Sequence, residues 1–444
     1  MMNNLLTCLT ALTASLLLQG CINDNITTSP ADQPEFSVDT LRLGTVFTGV
    51  PTPMARFTVY NRHDDILVLG SVGIRDSEHY RLNVDGTAGN DIAGIEIRPN
   101  DSVMVFVEAT LPRLGRPGTI RTLTHIDFTV NGVSSSLPVS ADACDIITLT
   151  GRTVTGSETF TADYPYRVMD SLHVAPGATL TLEAGTRLLF HDRATMRVSG
   201  TLRALGTPAD RVDMTGDRTG FVAARIPYDI MSGQWSGVTF EPGSKADLAF
   251  TVIRNSTNGV RADGADITLA SCVLRNAVAR PLDVTGCYLT ATGCEIAEGG
   301  DGVLAVKGGE TIIDHCTIAN YYLFGPITNP ALVADADTLR VANSIVYGLG
   351  TDVGLPAATL PSGVSFTRCI FKSTGDNDGN FHNCIFDADP LFSVDREKYI
   401  FDYRLKAGSP ALNAVSDPET AHATSPDGIE ITRHIGAYGT ASND

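Results

Sequence analysis

The sequence predicts an all-β chain in two parts, a β-sandwich followed by a parallel β-helix, and three observations carry that prediction. First, the second half repeats a short phrase: an apolar residue, two variable ones, a small thiol or hydroxyl, one variable residue and another apolar one. It runs Leu248/Thr251/Ile253, Leu269/Cys272/Leu274, Ala291/Cys294/Ile296, Ile313/Cys316/Ile318, Val341/Ser344/Val346, Phe366/Cys369/Phe371 and Phe381/Cys384/Phe386, with central residues 21, 22, 22, 28, 25 and 15 positions apart. A period near 22 built from β-formers is that of a solenoid, whose coils bury their apolar side only by stacking on one another. Second, 42 glycines and 22 prolines are spread along the 444 residues, as many short strands joined by tight turns require, and no long helical period competes. Third, residues 36–142 alternate apolar and polar in runs broken by turn signals every 8 to 15 positions, the pattern of half-buried strands.

The elements follow in chain order. The apolar stretch Leu5 to Leu18 is short for a membrane span and, ending in Leu18-Gln19-Gly20-Cys21, reads as an export signal with a small-residue cleavage site. It resembles a bacterial lipoprotein signal, which implies removal of residues 1–20 and lipidation of Cys21. No Lys or Arg precedes Cys21, a departure from that pattern. Residues 21–35, polar and containing Pro30 and Pro34, read as a tether.

Residues 36–142 hold strands such as Arg56-Phe57-Thr58-Val59-Tyr60, Ser102-Val103-Met104-Val105-Phe106-Val107 and Ile126-Asp127-Phe128-Thr129-Val130, the last running into an Asn131-Gly132 turn. About seven strands in this length argue an immunoglobulin-like sandwich without the Cys and Trp pair of antibody domains. The segments 39–47, 57–61 and 101–108 resemble the N-terminal modules of Bacteroidetes surface lipoproteins, which implies a non-catalytic module on an outer-membrane or cell-surface protein.

The β-helix is expected over residues 146–388. Leu172-His173-Val174-Ala175-Pro176-Gly177-Ala178-Thr179-Leu180, Met196-Arg197-Val198-Ser199-Gly200-Thr201-Leu202 and Gly233-Gln234-Trp235-Ser236-Gly237-Val238 resemble secreted right-handed parallel β-helix proteins, implying the pectin lyase-like fold. At one coil per period this gives about 11 coils and a length of about 50 Å. Residues 389–444, with Asp389-Pro390-Leu391-Phe392, Tyr403 to Leu412 and Ile435-Gly436-Ala437-Tyr438, resemble the C-terminal segment of such proteins and are expected to cap the open end.

Composition narrows the partners. The formal charge is −18, and only five of 32 cationic residues are lysines, which excludes nucleic acid and anionic membrane surfaces as partners of the whole chain; membrane contact is expected through the lipid anchor alone. Beyond Cys8 and Cys21, seven cysteines remain, most of them at the ladder position, where stacked side chains project in parallel and make poor disulfides. They read as buried thiols; zinc is the alternative, but no C-x-x-C pair exists.

Chemistry on a solenoid belongs to the loops that break its repeat. One insertion follows Cys316 and carries Tyr321, Tyr322 and Phe324, aromatics able either to stack on sugar rings or to pack on a neighbouring coil. The other, Asp217 to Ser232, precedes Trp235, which reads as structural. A polysaccharide lyase needs a cation or calcium to neutralise the uronate and a base to take the proton beside it. Lys307, with Asp301, Glu310, Asp314 and His315 nearby in sequence, is the candidate, although Gly308-Gly309 makes it equally a solvated corner charge. His315 precedes a ladder cysteine and is expected to face solvent. Asp376 and Asp378 offer oxygen ligands for calcium in a tight turn, or simply an Asx turn. The reading is a lipid-anchored, exported β-helix protein that binds polysaccharide or a cell-surface partner through Tyr321, Tyr322 and Phe324 without cofactor. A calcium-dependent lyase and a passive spacer are the alternatives.

Overall fold

The computed structural model describes residues 24–218, 220–223, 226–354, 362–415 and 423–440; the export signal and Cys21 lie outside the described residues. The chain divides into two compact units, one ending at Asp145 and one beginning at Ile146. Among the described residues no helix is long and apolar enough to cross a membrane.

The first unit is a sandwich of two sheets. One orders Glu35–Phe36, Ala55–Tyr60, Ser102–Ala109, Tyr80–Val84 and Thr87–Gly89; the other orders Leu41–Phe47, Val133–Cys144, Thr119–Val130, Leu67–Ile74 and Asp91–Ile92, with Ile95–Ile97 also paired to Leu67–Ile74. Alternation sends Phe57, Val59, Val105 and Val107 from one sheet and Leu69, Val72, Ile126 and Phe128 from the other into a single core. The strands outnumber the seven expected because several edge strands have only two or three residues, too few to show an alternation. Asn131 and Gly132 both adopt left-handed φ, 51° and 77°, closing a two-residue hairpin between Val130 and Val133.

The second unit is a right-handed parallel β-helix. Each coil passes through three sheets. The first sheet has ten strands from Ile147–Leu149 to Ile370–Phe371, the second nine from Arg152–Val154 to Val353–Gly354, and the third ten from Ser157–Phe160 to Phe381–His382. Ten rungs at about 4.8 Å make a rod of about 45 Å, slightly shorter than expected because two corners absorb insertions.

The corner from third to first sheet explains the repeat. The residue before each ladder position is left-handed: Phe250 (φ 44°), Ser271 (54°), Gly293 (64°), His315 (50°), Asn343 (47°), Arg368 (53°) and Asn383 (55°). That bend strands backbone groups, and the small side chain that follows satisfies them. Cys272, Cys294 and Cys316 donate Sγ–H to the carbonyls of Ala270, Thr292 and Asp314 at 3.4, 3.3 and 3.3 Å, and Ser344 Oγ donates to Ala342 at 2.6 Å. The same atoms accept from the coil before, with the amides of Cys272, Cys294 and Cys316 donating to Cys294 Sγ, Cys316 Sγ and Ser344 Oγ. A thiol or hydroxyl is thus required by the corner, and all seven described cysteines are buried and unbridged.

The C-terminal segment runs along the flank of the rod, where an end cap was expected. Two outward rows of the first sheet, one carrying Ala297 and Ala319 and the other Ile345 and Ile370, form a second core with Phe392, Tyr403, Leu405, Ile435 and Ala437. A sheet apolar on both faces must be covered on both. At the open end, Phe366 stacks on Phe381 (5.0 Å) and Phe371 on Phe386 (5.4 Å), so four phenylalanines close the bore.

Candidate functional site

The second sheet turns inward with Val260, Ala262, Leu282 and Val284, so the residues between them face out. Strand register aligns His173, Arg197, Thr239, Arg261 and Asp283 in one outward row. Asp263, Thr285, Lys307 and Asp335 form the next. An open trough of about 320 Å³ lies over Phe240, Arg261, Asp263, Asp283, Thr285 and Lys307. In and beside it several charges are paired: Arg197 Nε is 3.4 Å from Glu241 Oε1, Lys307 Nζ 3.6 Å from Asp283 Oδ1, and Arg280 Nη1 3.7 Å from Asp283 Oδ2. Upstream, Ser199 Oγ donates to Glu241 Oε2 at 2.5 Å and meets His173 Nε2 at 3.0 Å. Coil after coil, this face offers donors and acceptors at the strand spacing.

Both insertions sit at the corner between first and second sheets, beside this face. They meet: Ser232 Oγ and Tyr322 OH are 2.8 Å apart across 90 residues. Gln234 Nε2 donates to the carbonyls of Tyr228 and Met231, and Asn276 Nδ2 to that of Ile230, fastening the earlier insertion down. Trp235 is buried, stacked on Phe190 at 4.0 Å, with Nε1 donating to Arg254 O.

Of the three loop aromatics, Tyr322 is buried, and Tyr321 is half-buried against Tyr403 at 6.2 Å, with burial pushing its phenol well above the usual range. Phe324, 40% exposed, alone presents a broad surface. The loop's first use is packing, because the C-terminal segment reaches it: Arg396 Nη2 donates to Tyr322 O at 3.0 Å.

Lys307 lies half-exposed in the trough, and its partner is Asp283, one coil earlier; Glu310 stands on the third sheet and Asp314 pairs with His315. His315 is fully buried, a correction to the expected solvent position: its corner bears the C-terminal segment, and Nε2 lies 3.3 Å from Thr432 O. Asp376 and Asp378 are both exposed in a turn held by Asn377, which brackets Cys384 through Nδ2 to its carbonyl and Oδ1 from its amide. Among the described residues no group of three His, Cys, Asp or Glu side chains is placed to hold a metal ion.

One titratable group escaped the sequence reading. Asn255, Asn276 and Asn320 recur four places after the ladder residue, and in Cys294's coil that place is Glu298. Glu298 keeps the left-handed φ, 53°, that suits Asn, and is 4% exposed. Burial pushes its carboxyl up to about 7, with Arg275 opposing and Glu295 adding to the rise, while Tyr403 OH donates to Oε1. Glu295, also raised by burial, accepts from Tyr438 OH at 2.6 Å. The interruption of the Asn series was the available signal.

Fold and face together define a β-sandwich joined to a right-handed parallel β-helix whose second sheet presents charged residues outward. No protein-family model and no curated protein sequence matches the chain. Among solved structures, it is similar over 27% of its length to 26% of a family 123 glycoside hydrolase from Clostridium perfringens, with TM-score 0.20 and 10% identity. It is also similar over 29% of its length to 58% of a protein of unknown function from Porphyromonas gingivalis, with TM-score 0.19 and 13% identity. The chain therefore spans about a quarter of the first protein and under two thirds of the second.

Proposed function

We propose that this protein binds an extended polysaccharide, without catalysis, along the outer face of the second sheet. The observation that carries the reading is the trough of about 320 Å³ in which Arg261, Asp263, Asp283, Thr285 and Lys307 alternate cation, carboxylate and hydroxyl in strand register. A polyanion would meet a carboxylate beside each cation, whereas a hydroxylated chain uses donors and acceptors alike. The reading moves the contact surface from Tyr321 and Tyr322 to the sheet and keeps Phe324 at its rim. It includes the anchoring argued from the sequence: lipidation at Cys21, exposure at the surface of a Bacteroidetes-like bacterium, and an immunoglobulin-like spacer. No cofactor is required. The test is calorimetric titration of the full chain with a panel of neutral and uronate polysaccharides. Joint replacement Arg197→Ala, Arg261→Ala and Lys307→Ala is expected to abolish binding; retention of binding by that variant would reject the face.

A second reading, a calcium-dependent lyase, is favoured by Lys307, the one lysine set beside Arg261, Asp263 and Asp283 in this trough. Ultraviolet absorbance of unsaturated products, rising with uronate polysaccharide and calcium and abolished by chelator and by Lys307→Ala, would replace the binding reading with this one.

A further inference from the structure

The segment that precedes the first sheet is docked on the sandwich. Ile26 bridges Ile66 in parallel, with Thr27 N donating to Ile66 O at 2.9 Å and Ile66 N to Asn25 O at 2.8 Å. Thr27 is buried, and its Oγ1 donates to Asp32 Oδ2 at 2.5 Å. Asn131 Nδ2, on the two-residue hairpin, donates to the carbonyls of Ser29 and Asp32, and Gln33 Nε2 donates to Val130 O. His63 Nε2 lies 3.0 Å from Gln33 O. Glu35 and Phe36 then pair with Tyr60 and Val59, and Phe36 packs on Phe128 at 4.8 Å. A stretch bonded at so many points has given up the freedom of a coil. Of residues 21–35, expected as a tether, only 21–24 precede the first docked residue.

The two ends of the sandwich thereby take different parts. The docked segment crosses the end marked by Ile66, Asn131 and Gly132. Thr119–Val130 and Val133–Cys144 run from there to the other end, paired along all 12 residues, a length of about 40 Å. At that far end Asp145 fixes the exit of the chain: Oδ1 accepts from Thr48 Oγ1 at 2.6 Å and Leu114 N at 2.8 Å, and Oδ2 from Gly115 N at 2.7 Å. Entry and exit are both held, at opposite ends.

We propose that the sandwich is a membrane strut: its Asn131-Gly132 end stays beside the lipid surface, and the chain leaves it at Asp145, on the end away from the lipid. This rests on the lipidation of Cys21 read above. From Cys21 to Asn25 the chain spans at most about 14 Å, whereas a slack chain from Cys21 to Glu35 would reach about 50 Å. The longer reach exceeds the sandwich and would leave neither end preferred. Docking the leader therefore turns an anchor into an orientation.

The test supplies the lipid chemically, so it reads the geometry by itself. The chain from Cys21 onward is coupled through that thiol to a maleimide lipid in phosphatidylcholine vesicles, the described cysteines all being buried. A donor dye on an azide-bearing residue reports energy transfer to acceptor lipid in the bilayer. It replaces either exposed Arg98, whose carbonyl accepts from Asn61 near the docked segment, or exposed Arg116, next to Gly115 at the exit. Transfer at position 98 is expected to exceed that at 116 at least about twofold, given strands about 40 Å long. An insert of about ten Gly and Ser residues between Asp24 and Asn25 leaves the docked contacts in place and is expected to lower transfer at 98 and erase most of the contrast. Asn131→Gly with Gln33→Ala, which removes three hydrogen bonds to the leader and keeps a residue suited to the left-handed turn, should act in the same direction, with faster exchange at the Thr27 amide. Equal transfer at 98 and 116 in the parent, or an insert that changes nothing, would overturn the strut. Mass spectrometry of the N-terminal peptide, after expression of the full chain in bacteria, tests the anchor separately. An unmodified Cys21 would remove the anchor and with it the strut, even where the vesicle geometry holds.

Discussion

Replacing Glu298 with glutamine isolates the energetic consequence of a carboxyl placed in an asparagine position. The carboxyl rises from its usual 4.5 to about 7 on folding, principally through burial. Below pH 4.5 it is protonated in folded and unfolded chains alike. Above that, the unfolded carboxyl loses its proton while the folded one holds it until about pH 7, so unfolding gains ground across this window. At about 1.4 kcal/mol per pH unit, the β-helix loses about 3 kcal/mol of stability between those limits on this account. Glu298→Gln cannot ionise and keeps an oxygen to accept from Tyr403. Its stability relative to the parent should therefore climb by about 3 kcal/mol from pH 4.5 to just above 7, then level off. Urea unfolding followed by fluorescence measures this well, because the single tryptophan, Trp235, is buried in the β-helix. Titrating groups away from Glu298 are common to both chains and cancel in the difference. A difference that stays constant across the window would refute the placement of a proton on buried Glu298.

Three further outcomes are expected. Gly293→Ala forces a left-handed alanine and drives its Cβ into the Thr424 carbonyl, so a loss of at least about 2 kcal/mol is expected, with faster hydrogen exchange at the Ile431 and His434 amides. Burial pushes the Cys272, Cys294 and Cys369 thiols up, whereas the hydrogen bond from Cys369 brings Cys384 to about 7; an aromatic disulfide reagent should modify Cys384 first, its rate rising through neutral pH, and Cys384→Ser should remove that phase. Tyr322→Phe removes the link to Ser232 and should cost about 1 kcal/mol in thermal or urea unfolding while leaving polysaccharide binding unchanged.

What was legible in the sequence was what repeats locally. The ladder from Thr251 to Cys384 marks a corner that recurs through seven successive positions, and Asn131-Gly132 marks a turn whose geometry only a few residues accept. Less legible was whatever depends on matching distant segments. Lys307 finds Asp283 because Thr285 and Lys307 are register partners, a relation readable only once the coil boundaries are known. His315 is buried because residues 423–438 cross its corner, and nothing near His315 in the chain says so. The hint lay in Ala297, Ala319, Ile345 and Ile370, apolar where a solvent-facing sheet would be polar. Glu298 was visible as the break in a series of asparagines, but its pairing with Tyr403 was not.

The flank-running C-terminal segment has a consequence for how the chain reaches its native state. A stack of coils with only neighbour contacts folds like a zipper, from any nucleus and in either direction. Here Asp427 pairs with Arg211 across 216 residues, Ser271 Oγ donates to Thr424 O across 153, and Thr432 O meets His315 across 117. Such clasps tie early coils to a segment synthesised much later, raising the contact order and slowing the closing of the fold. During translation the outward alanines and isoleucines of the first sheet wait uncovered, a time when a neighbouring nascent chain could dock on them. Once the segment lands, several coils can no longer open one at a time, and the rod should unfold as a block.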